Sequence, residues 1–443
     1  MNVNRRQFIA AGGTLAAASL VPGRLLAALE QRVARPAAAM GWDEVRGLFD
    51  LSTEHVNFSS FFIASHPRPV REAIEQYRKA IDADPFLVVE HAMFESETEN
   101  VQRKVREDIA AYLGGRPDEL ALTGNTTTGL ALVYHGLTLR PGDEVLTTEH
   151  DHYSHHESIR LAVERAGATT RRIALFDAPE RATIAGIAER VRAALRPETR
   201  ALGVTWVHSS TGMRLPIAAI AEVVSAANRG RDERDRVLLV VDGVHGLGAV
   251  DASVTDLGCD LFCAGTHKWI FAPRGTGIVW GRPEAWARLR PVIPTFSSAD
   301  VFDAWMAGQP PTGPTTAARM TPGGFTAYEH QWAMSAAFRL HQALGRRRVA
   351  ERIRRLNDQC KEGLARMPRV RLHTPRDPAL SAGLCCFEVE GTKNEDVVKR
   401  LLERGFVASA APYKASYARL APSLVNTPEE VESALKALRT IAA

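Results

Sequence analysis

Cysteine is scarce in this sequence, and its spacing excludes two kinds of structural site. The five cysteines lie at positions 259, 263, 360, 385 and 386. Their number is odd, and no pair has the C-x-x-C spacing that is typical of zinc knuckles and redox motifs. A disulfide framework is therefore not expected, and the sequence predicts buried thiols.

Strong charge of one sign and long apolar runs are also lacking. The net charge is +4 over 443 residues, and the basic residues are scattered along the chain. This pattern argues against a nucleic-acid partner. Beyond the N-terminal stretch, no segment has the roughly 20 uninterrupted apolar residues that a membrane-spanning helix needs. Histidines cluster at 150–156 without a matching set of carboxylates, so no metal site is expected there.

The first residues of the chain differ in composition from the rest. Arg5 and Arg6 precede Phe8, and a Gly/Ala-rich apolar stretch runs to Val21. This arrangement resembles a twin-arginine export signal, which is an address read by the twin-arginine translocase and not an anchor. We therefore expect a signal peptide at 1–28 and a periplasmic or extracytoplasmic mature protein without a membrane span. The alternative is an ordinary amphipathic N-terminal helix.

Short apolar segments alternate with amphipathic helical patterns from 120 to about 282. Alternation of this kind predicts a mostly parallel sheet flanked by helices. We therefore predict an α/β fold with an N-terminal linker and segment at 29–65 and a large domain at 66–300. A crossing segment and a smaller α+β C-terminal domain are predicted at 301–443.

Three finer predictions concern the last third of the chain. The Pro/Gly/Thr-rich stretch at roughly 291–324 is typical of an irregular connection. The pattern EHQWAMSAAFRLHQALG predicts one long helix at 329–345, and GFVASA predicts one strand at 405–410.

Polar and ionisable residues directly follow several of the predicted strands. Asp242 and His245 follow one strand, His267 and Lys268 follow another, and Ser209 follows a third. In open parallel sheets, ligands bind at the carboxyl ends of the strands. We therefore expect these residues, which are distant in sequence, to meet at one edge of the sheet.

Three of these features together point to an aldehyde cofactor. A lysine at a strand end can form a Schiff base, because partial desolvation makes its amine nucleophilic. A carboxylate at the end of a buried strand can hold a protonated pyridine nitrogen. The sequence GNTTTG at 124–129 opens a helix, whose backbone N–H groups and hydroxyls suit a phosphate. The combination predicts pyridoxal 5′-phosphate as cofactor.

The motifs that carry this chemistry resemble those of the class V aminotransferases, which are fold-type I enzymes dependent on pyridoxal 5′-phosphate. The matching stretches include VHSSTGMRLPI, VVDGVHGLGAVD and AGTHKWIFAPRGTGIVWG, and the resemblance extends from about 120 to 435. The subgroup that the chain resembles most is that of the isopenicillin N epimerase-like proteins. The resemblance implies a fold-type I transferase fold with a large cofactor-binding domain, a small C-terminal domain and a homodimeric assembly.

The resemblance also implies a role for each matching residue. Lys268 would form the Schiff base and act as catalytic base, and Asp242 would pair with the pyridine nitrogen. Arg419 would hold a substrate carboxylate, and Asn57 begins a segment, 57–66, that would contribute to substrate binding. The remaining cofactor-binding positions are Asn125, Thr126, Thr127, His150, His152, Ser209, His245 and His267.

Within that set, the contacts expected with the cofactor differ. The polar groups of residues 125–127 and of His267 would contact its phosphate, and Ser209 and His245 would lie near its ring oxygen. His150 and His152 both fit the position that stacks on the ring, because the EHDH motif allows a two-residue shift.

The reaction implied by the resemblance begins with removal of the α-proton of an amino acid or a small amino-acid derivative. Return of the proton to the cofactor carbon gives transamination, and return to the opposite face of Cα gives epimerisation; the sequence favours neither. Cysteine desulfurases carry a catalytic cysteine in the stretch that corresponds to 406–420, which has none here. Sulfur transfer through a persulfide is therefore not expected. The alternatives are a β-elimination lyase or desulfurase-like activity and a catalytically silent, exported cofactor-binding protein.

Overall fold

The computed structural model describes residues 40–94 and 100–443. The predicted signal peptide at 1–28 and residues 29–39 of the predicted N-terminal linker and segment lie outside the described residues.

The described residues form thirteen strands. They are β1 Val56–Asn57, β2 Leu120–Thr123, β3 Glu144–Thr148, β4 Thr169–Ile173, β5 Thr199–Thr205, β6 Leu238–Asp242, β7 Leu261–Gly265, β8 Gly277–Gly281, β9 Val370–Leu372, β10 Cys385–Val389, β11 Phe406–Val407, β12 Ser409–Ala410 and β13 Ala418–Leu420.

Helices of very different length connect and flank these strands. They are α1 Trp42–Arg46, α2 Arg68–Ala83, α3 Pro85–Phe94, α4 Val101–Leu113, α5 Thr126–Gly136, α6 Tyr153–Ala166, α7 Ile184–Ala194, α8 Ile217–Asn228, α9 Val254–Leu257, α10 Pro283–Ala287, α11 Ala299–Met306, α12 Ala317–Met320, α13 Tyr328–Trp332, α14 Met334–Leu344, α15 Arg346–Ala365, α16 Asn394–Leu402 and α17 Pro428–Ala442.

A seven-stranded sheet with the order β2-β8-β7-β6-β5-β3-β4 forms the centre of the larger part of the molecule. Strand β8 is antiparallel to both of its neighbours, and the other strands run parallel to one another. Every residue of β3, β6 and β7 is buried, as expected of parallel strands that are covered on both faces. The prediction of a mostly parallel sheet flanked by helices is confirmed.

A second, antiparallel sheet with the order β12-β13-β10-β9 lies in the C-terminal part of the chain. Its residues pack with α15 and α17 in a separate hydrophobic cluster that also contains Phe58 of the N-terminal segment. Strand β1 pairs in parallel with β11, so the segment that precedes the large sheet is tied to the C-terminal part. The prediction of a smaller α+β unit is confirmed.

The finer predictions for the last third of the chain need correction. The single helix predicted at 329–345 is divided into α13 and α14, because the backbone of Ala333 turns more tightly there, with ψ of −6°. The single strand predicted at 405–410 is two strands, β11 and β12, which belong to different sheets. The connection predicted to be irregular contains α11 and α12.

Candidate active site

Lys268 is presented by a tight turn after β7. The backbone N–H of Ala272 donates to the carbonyl of Thr266 at 3.0 Å, which closes the turn around the lysine. Phe271 has φ of 59°, in the left-handed region that is rare for a bulky residue, and its ring is buried. A strained residue held by a packed core indicates that the conformation of this turn is strongly determined by its surroundings.

The amine of Lys268 lies 3.2 Å from Nε2 of His245, which is buried. Burial lowers the pKa of Lys268 to about 8, with the Arg419 guanidinium acting in the same direction and Asp242 in the opposite one. A much larger fraction of this lysine is therefore neutral at physiological pH than of an ordinary surface lysine, as a nucleophile or general base requires.

Asp242 ends β6, which is the strand next to β7 in the sheet, and it is paired in register with Cys263. Its side chain is buried and accepts a hydrogen bond from the backbone N–H of Val244 at 3.1 Å. Burial raises the pKa of Asp242 to about 6, although Val244 and Lys268 act in the opposite direction. A carboxylate in this setting is stabilised by a cation close to it.

The N-terminus of α5 lies beside the turn that carries Lys268. The Asn125 side chain caps the helix by accepting from the N–H of Thr128 at 2.9 Å, so its side-chain oxygen is engaged within the helix end. Thr126 Oγ1 accepts from the N–H of Gly265 at 2.7 Å, and Thr127 is exposed. A Cβ at Gly265 would lie 3.0 Å from Thr126 Oγ1 and 2.9 Å from Cε1 of His267, so only glycine permits this close approach.

The two histidines of the EHDH motif lie in different surroundings. His150 stacks on Phe176 with ring centroids 4.0 Å apart, and its buried Nε2 has no hydrogen-bond partner among the described residues. His152 is exposed and caps the N-terminus of α6, where its Nδ1 accepts from the N–H of Ser154. Burial of part of its ring and the charge of Lys268 lower the pKa of His152. The structure therefore brings His152 rather than His150 near the lysine.

Ser209 and Arg419 meet across the boundary between the two parts of the molecule. The Arg419 guanidinium is buried and donates to the carbonyl oxygens of Ser209 and Ala410, each at 2.9 Å, and to Ser409 Oγ at 3.1 Å. The guanidinium carbon lies 4.8 Å from the centre of the Phe61 ring. Phe61 belongs to the segment 57–66 that is predicted to contribute to substrate binding.

Tyr413 is the site residue that sequence reasoning missed. Its hydroxyl lies 2.6 Å from Ser209 Oγ, and its ring meets that of His152 edge to face at 6.1 Å. Burial raises the pKa of Tyr413 to about 12, so the phenol carries its proton at neutral pH. Its only signal in the sequence is its place in the stretch 406–420, which corresponds to the stretch where cysteine desulfurases carry their catalytic cysteine.

Asn57 is not brought together with these residues. It is exposed in β1, and its side-chain oxygen accepts from the N–H of Ser59 at 2.6 Å, which shapes the turn that leads to Phe61. A role in substrate binding stays a prediction for Asn57.

The residues present fit pyridoxal 5′-phosphate. A half-buried amine, a buried carboxylate with one hydrogen-bond donor and a helix N-terminus bordered by a histidine are arranged around the same two strand ends. Lys268, Asp242 and the α5 N-terminus would hold the aldehyde, the pyridine nitrogen and the phosphate, respectively. His267 and His245 are neutral at physiological pH, because burial lowers the pKa of His267 to about 4 and that of His245 well below its usual value.

Other kinds of site receive no support from the residues that the structure describes. No group of three or more His, Cys, Asp or Glu side chains in 40–94 and 100–443 is placed to hold a metal ion. Within the same ranges, no helix has the length and apolarity to cross a membrane. All five cysteines are free and buried, which confirms the prediction of buried thiols.

Comparison with known proteins decides the family. The sequence profile described as "Aminotransferase class-V" matches residues 63–421. The chain belongs to the class V aminotransferase family. The resemblance seen in the motifs is thus confirmed, and the family's cofactor, pyridoxal 5′-phosphate, is the one that the site fits.

Similar class V proteins differ in the activity that their names state. An isopenicillin N epimerase of Streptomyces clavuligerus is 28% identical over 411 residues, which cover 90% of this chain and 98% of that protein. A probable cysteine desulfurase of Xylella fastidiosa is 24% identical and covers 91% of this chain and 96% of that protein. The apo structure of a cysteine desulfurase from Thermococcus onnurineus superposes with a TM-score of 0.76 at 19% identity, covering 91% of this chain and 99% of that one. This structural likeness shows the fold-type I fold alone.

Proposed function

We propose that this protein is an amino-acid epimerase that uses pyridoxal 5′-phosphate to invert the α-carbon of an amino acid or a small amino-acid derivative. The observation that carries the proposal is the position of Arg419, a buried cation that faces the amine of Lys268. Its guanidinium uses three N–H groups on neutral oxygens, and among the described residues it forms no ion pair with a carboxylate. The remaining donors are suited to a substrate carboxylate.

Lys268 has the properties of the group that removes the α-proton. Burial lowers its pKa to about 8, and its amine lies 3.2 Å from Nε2 of His245. When bound, the cofactor supplies a ring that withdraws electrons from the α-carbon, which makes its proton acidic. Nζ of Lys268 would accept that proton, and Asp242 would hold the protonated ring nitrogen of the cofactor.

Tyr413 supports inversion over transamination. Inversion needs a proton returned to Cα from the side opposite to the base, and a protonated phenol beside Arg419 and His152 is a second group that can donate one. The full-length similarity to an isopenicillin N epimerase also supports this choice.

Sulfur transfer through a persulfide has less support. It needs an accessible, reactive thiolate. Cys386 is the register partner of Arg419 in the C-terminal sheet, but it is buried, and burial raises the pKa of Cys386 to about 12.

The experiment incubates the cofactor-loaded enzyme in D₂O with a panel of L- and D-amino acids. We expect deuterium at Cα together with the opposite enantiomer, measured by mass spectrometry and chiral chromatography. Formation of a keto acid without inversion would contradict the proposal and favour transamination. Release of sulfide or ammonia would favour β-elimination, and the absence of any exchange would favour a catalytically silent cofactor-binding protein.

Two variants test the assigned roles. Lys268→Ala should abolish exchange for every substrate. Arg419→Lys should raise KM for substrates with an α-carboxylate by about 10- to 100-fold, because a charge-assisted fork is lost. Arg190→Lys is a matched control, since Arg190 pairs with the exposed Asp177 and should leave KM unchanged. An unchanged KM in Arg419→Lys would remove Arg419 from the substrate site.

We further propose a homodimer that is exported by the twin-arginine translocase. Support for the dimer comes from large apolar side chains that are exposed on the single chain, such as Phe325, Phe62 and Trp305, which are 83%, 71% and 68% exposed. Support for export comes from Arg5 and Arg6. Light scattering on the purified protein tests the first proposal. Cell fractionation with and without an Arg5→Lys, Arg6→Lys double substitution tests the second.

A further inference from the structure

Three side chains form a continuous hydrogen-bonded chain at the centre of the site. Nζ of Lys268 lies 3.2 Å from Nε2 of His245, and Nδ1 of the same ring accepts from the indole N–H of Trp269 at 3.4 Å. Trp269 is buried, and its ring packs so closely on Gly383 that a Cβ there would lie 2.7 Å from it. The indole is therefore held in position by packing.

The chemistry of these three groups fixes where the protons lie. An indole N–H can only donate, so Nδ1 of His245 must be the acceptor. Burial and the surrounding positive charges lower the pKa of His245 well below its usual value, which leaves the imidazole with a single proton. That proton must be on Nε2, the nitrogen that faces Lys268.

The tautomer of His245 has a consequence for the lysine. An Nε2–H group needs an acceptor, and a neutral amine has a lone pair to offer. An ammonium has none, and its hydrogens would oppose the Nε2 proton. We propose that Trp269 is a positioning residue whose indole N–H selects the Nε2-protonated tautomer of His245 and thereby favours the neutral amine of Lys268. This inference rests on the proposed role of Lys268 as the group that accepts the α-proton.

Other charged groups also face this pair and set the background against which Trp269 acts. Asp242 favours the ammonium of Lys268, and Arg419 favours the amine. His152 and His267, together with Arg419, face His245. None of these groups is altered when the indole is replaced, so a change of Trp269 isolates the effect of the tautomer.

The experiment uses the full-length chain from which the cofactor has been removed, so that the amine of Lys268 is free. Correlation of ring protons with ¹⁵N in histidine-labelled protein identifies the protonated nitrogen of His245. The rate of acetylation of Lys268 as a function of pH, followed by peptide mass spectrometry, gives the pKa of its amine.

We expect Nε2 of His245 to be protonated in the wild type. In Trp269→Phe the proton should move to Nδ1, at least in part, and the acetylation of Lys268 at pH 7 should slow by about tenfold, equivalent to one pKa unit. In a His245→Ala background, Trp269→Phe should no longer change the acetylation rate. Trp280→Phe is the matched control, because the indole of Trp280 donates to Glu119 elsewhere and should not affect Lys268.

Protonation of Nδ1 in the wild type would overturn the proposal, and it needs no variant to be observed. An acetylation profile that is unchanged in a folded Trp269→Phe would also overturn it. These readouts do not depend on turnover, so they separate the fate of this proposal from that of the proposed function. A correct tautomer without any α-proton exchange in D₂O would contradict the function alone.

Discussion

Two buried aspartates beside the end of β5 show how this sheet separates structural from functional carboxylates. Asp151 accepts from the N–H of Thr205 at 2.7 Å, and Asp242 is the register partner of the same threonine. Each residue is only 2% exposed. Despite this, the pKa of Asp151 is lowered to about 2, whereas the pKa of Asp242 is raised to about 6.

The difference lies in the number of groups that face each carboxylate. Burial raises the pKa of both, but in Asp151 the facing histidines His155 and His208 and several hydrogen bonds outweigh it. Its Oδ2 accepts from both the N–H and the hydroxyl of Thr148 and from the hydroxyl of Thr147, all at 2.8 Å. Asp242 accepts one backbone N–H. A carboxylate that accepts many hydrogen bonds holds the backbone around it in place. A carboxylate that accepts few can still interact with a cation that binds later.

The largest expected effect follows from Asp151→Asn. Both oxygens of Asp151 accept hydrogen bonds, so the NH₂ group of asparagine would face hydrogen-bond donors in either orientation of the amide. We therefore expect the free energy of unfolding to fall by roughly 3–5 kcal/mol. The folded pKa of about 2 lies below the ordinary value of 3.8, so this carboxylate contributes stability at any pH above about 4. The loss should therefore be similar in urea titrations at pH 7 and pH 5.

The control for this prediction is Asp177→Asn, which changes an exposed ion pair with Arg190 and should cost at most about 1 kcal/mol. A loss in Asp151→Asn no larger than in this control would mean that the hydrogen bonds around Asp151 do not stabilise the fold.

Asp242→Asn should have the opposite sign. The folded pKa of about 6 lies above the ordinary value of 3.8, so the charged group destabilises the folded chain as the pH rises through 6. In the cofactor-free protein we expect the variant to gain up to about 3 kcal/mol at pH 8, roughly half of that at pH 5, and little near pH 4. Urea titrations of both proteins at these three pH values measure the difference. The same variant, loaded with cofactor, should lose most of its turnover, because an amide does not pair with a protonated ring nitrogen as a carboxylate does. Stability and function are therefore opposed at this position.

Lower stability of Asp242→Asn at pH 8 would show that the carboxylate is already satisfied without a ligand. It would then belong with Asp151 as a structural group, and the contrast between the two would disappear.

The convergence of Asp242 and Lys268 could be predicted from the sequence. Both follow short apolar strands, and the carboxyl ends of parallel strands meet at one edge of a sheet. The adjacency of β6 and β7 places them together without any knowledge of side-chain packing.

Contacts between distant parts of the chain could not be predicted. Tyr413 reaches Ser209 across 204 residues because the strand pair β12 and β13 carries it to the large sheet. Which of His150 and His152 lies near Lys268 could not be predicted either. It depends on Phe176, which lies in the loop after β4 and stacks on the ring of His150. In each case a local pattern supplied the residue type, and only tertiary packing determined which side chains meet.

The smallest expected effect tests how far the network around Asp151 extends. The hydroxyl of Tyr134 lies 2.6 Å from Nε2 of His155, whose Nδ1 is 3.8 Å from Asp151. Gly203 permits this arrangement, since a Cβ there would lie 2.2 Å from the hydroxyl oxygen. Tyr134→Phe should lower the free energy of unfolding by about 1 kcal/mol, because one buried hydrogen bond is lost. Turnover should stay within twofold of the wild type, since neither ring contacts Lys268. A tenfold fall in turnover with unchanged urea stability would instead connect this network to the reaction and give Asp151 a role that its saturated hydrogen bonds do not indicate.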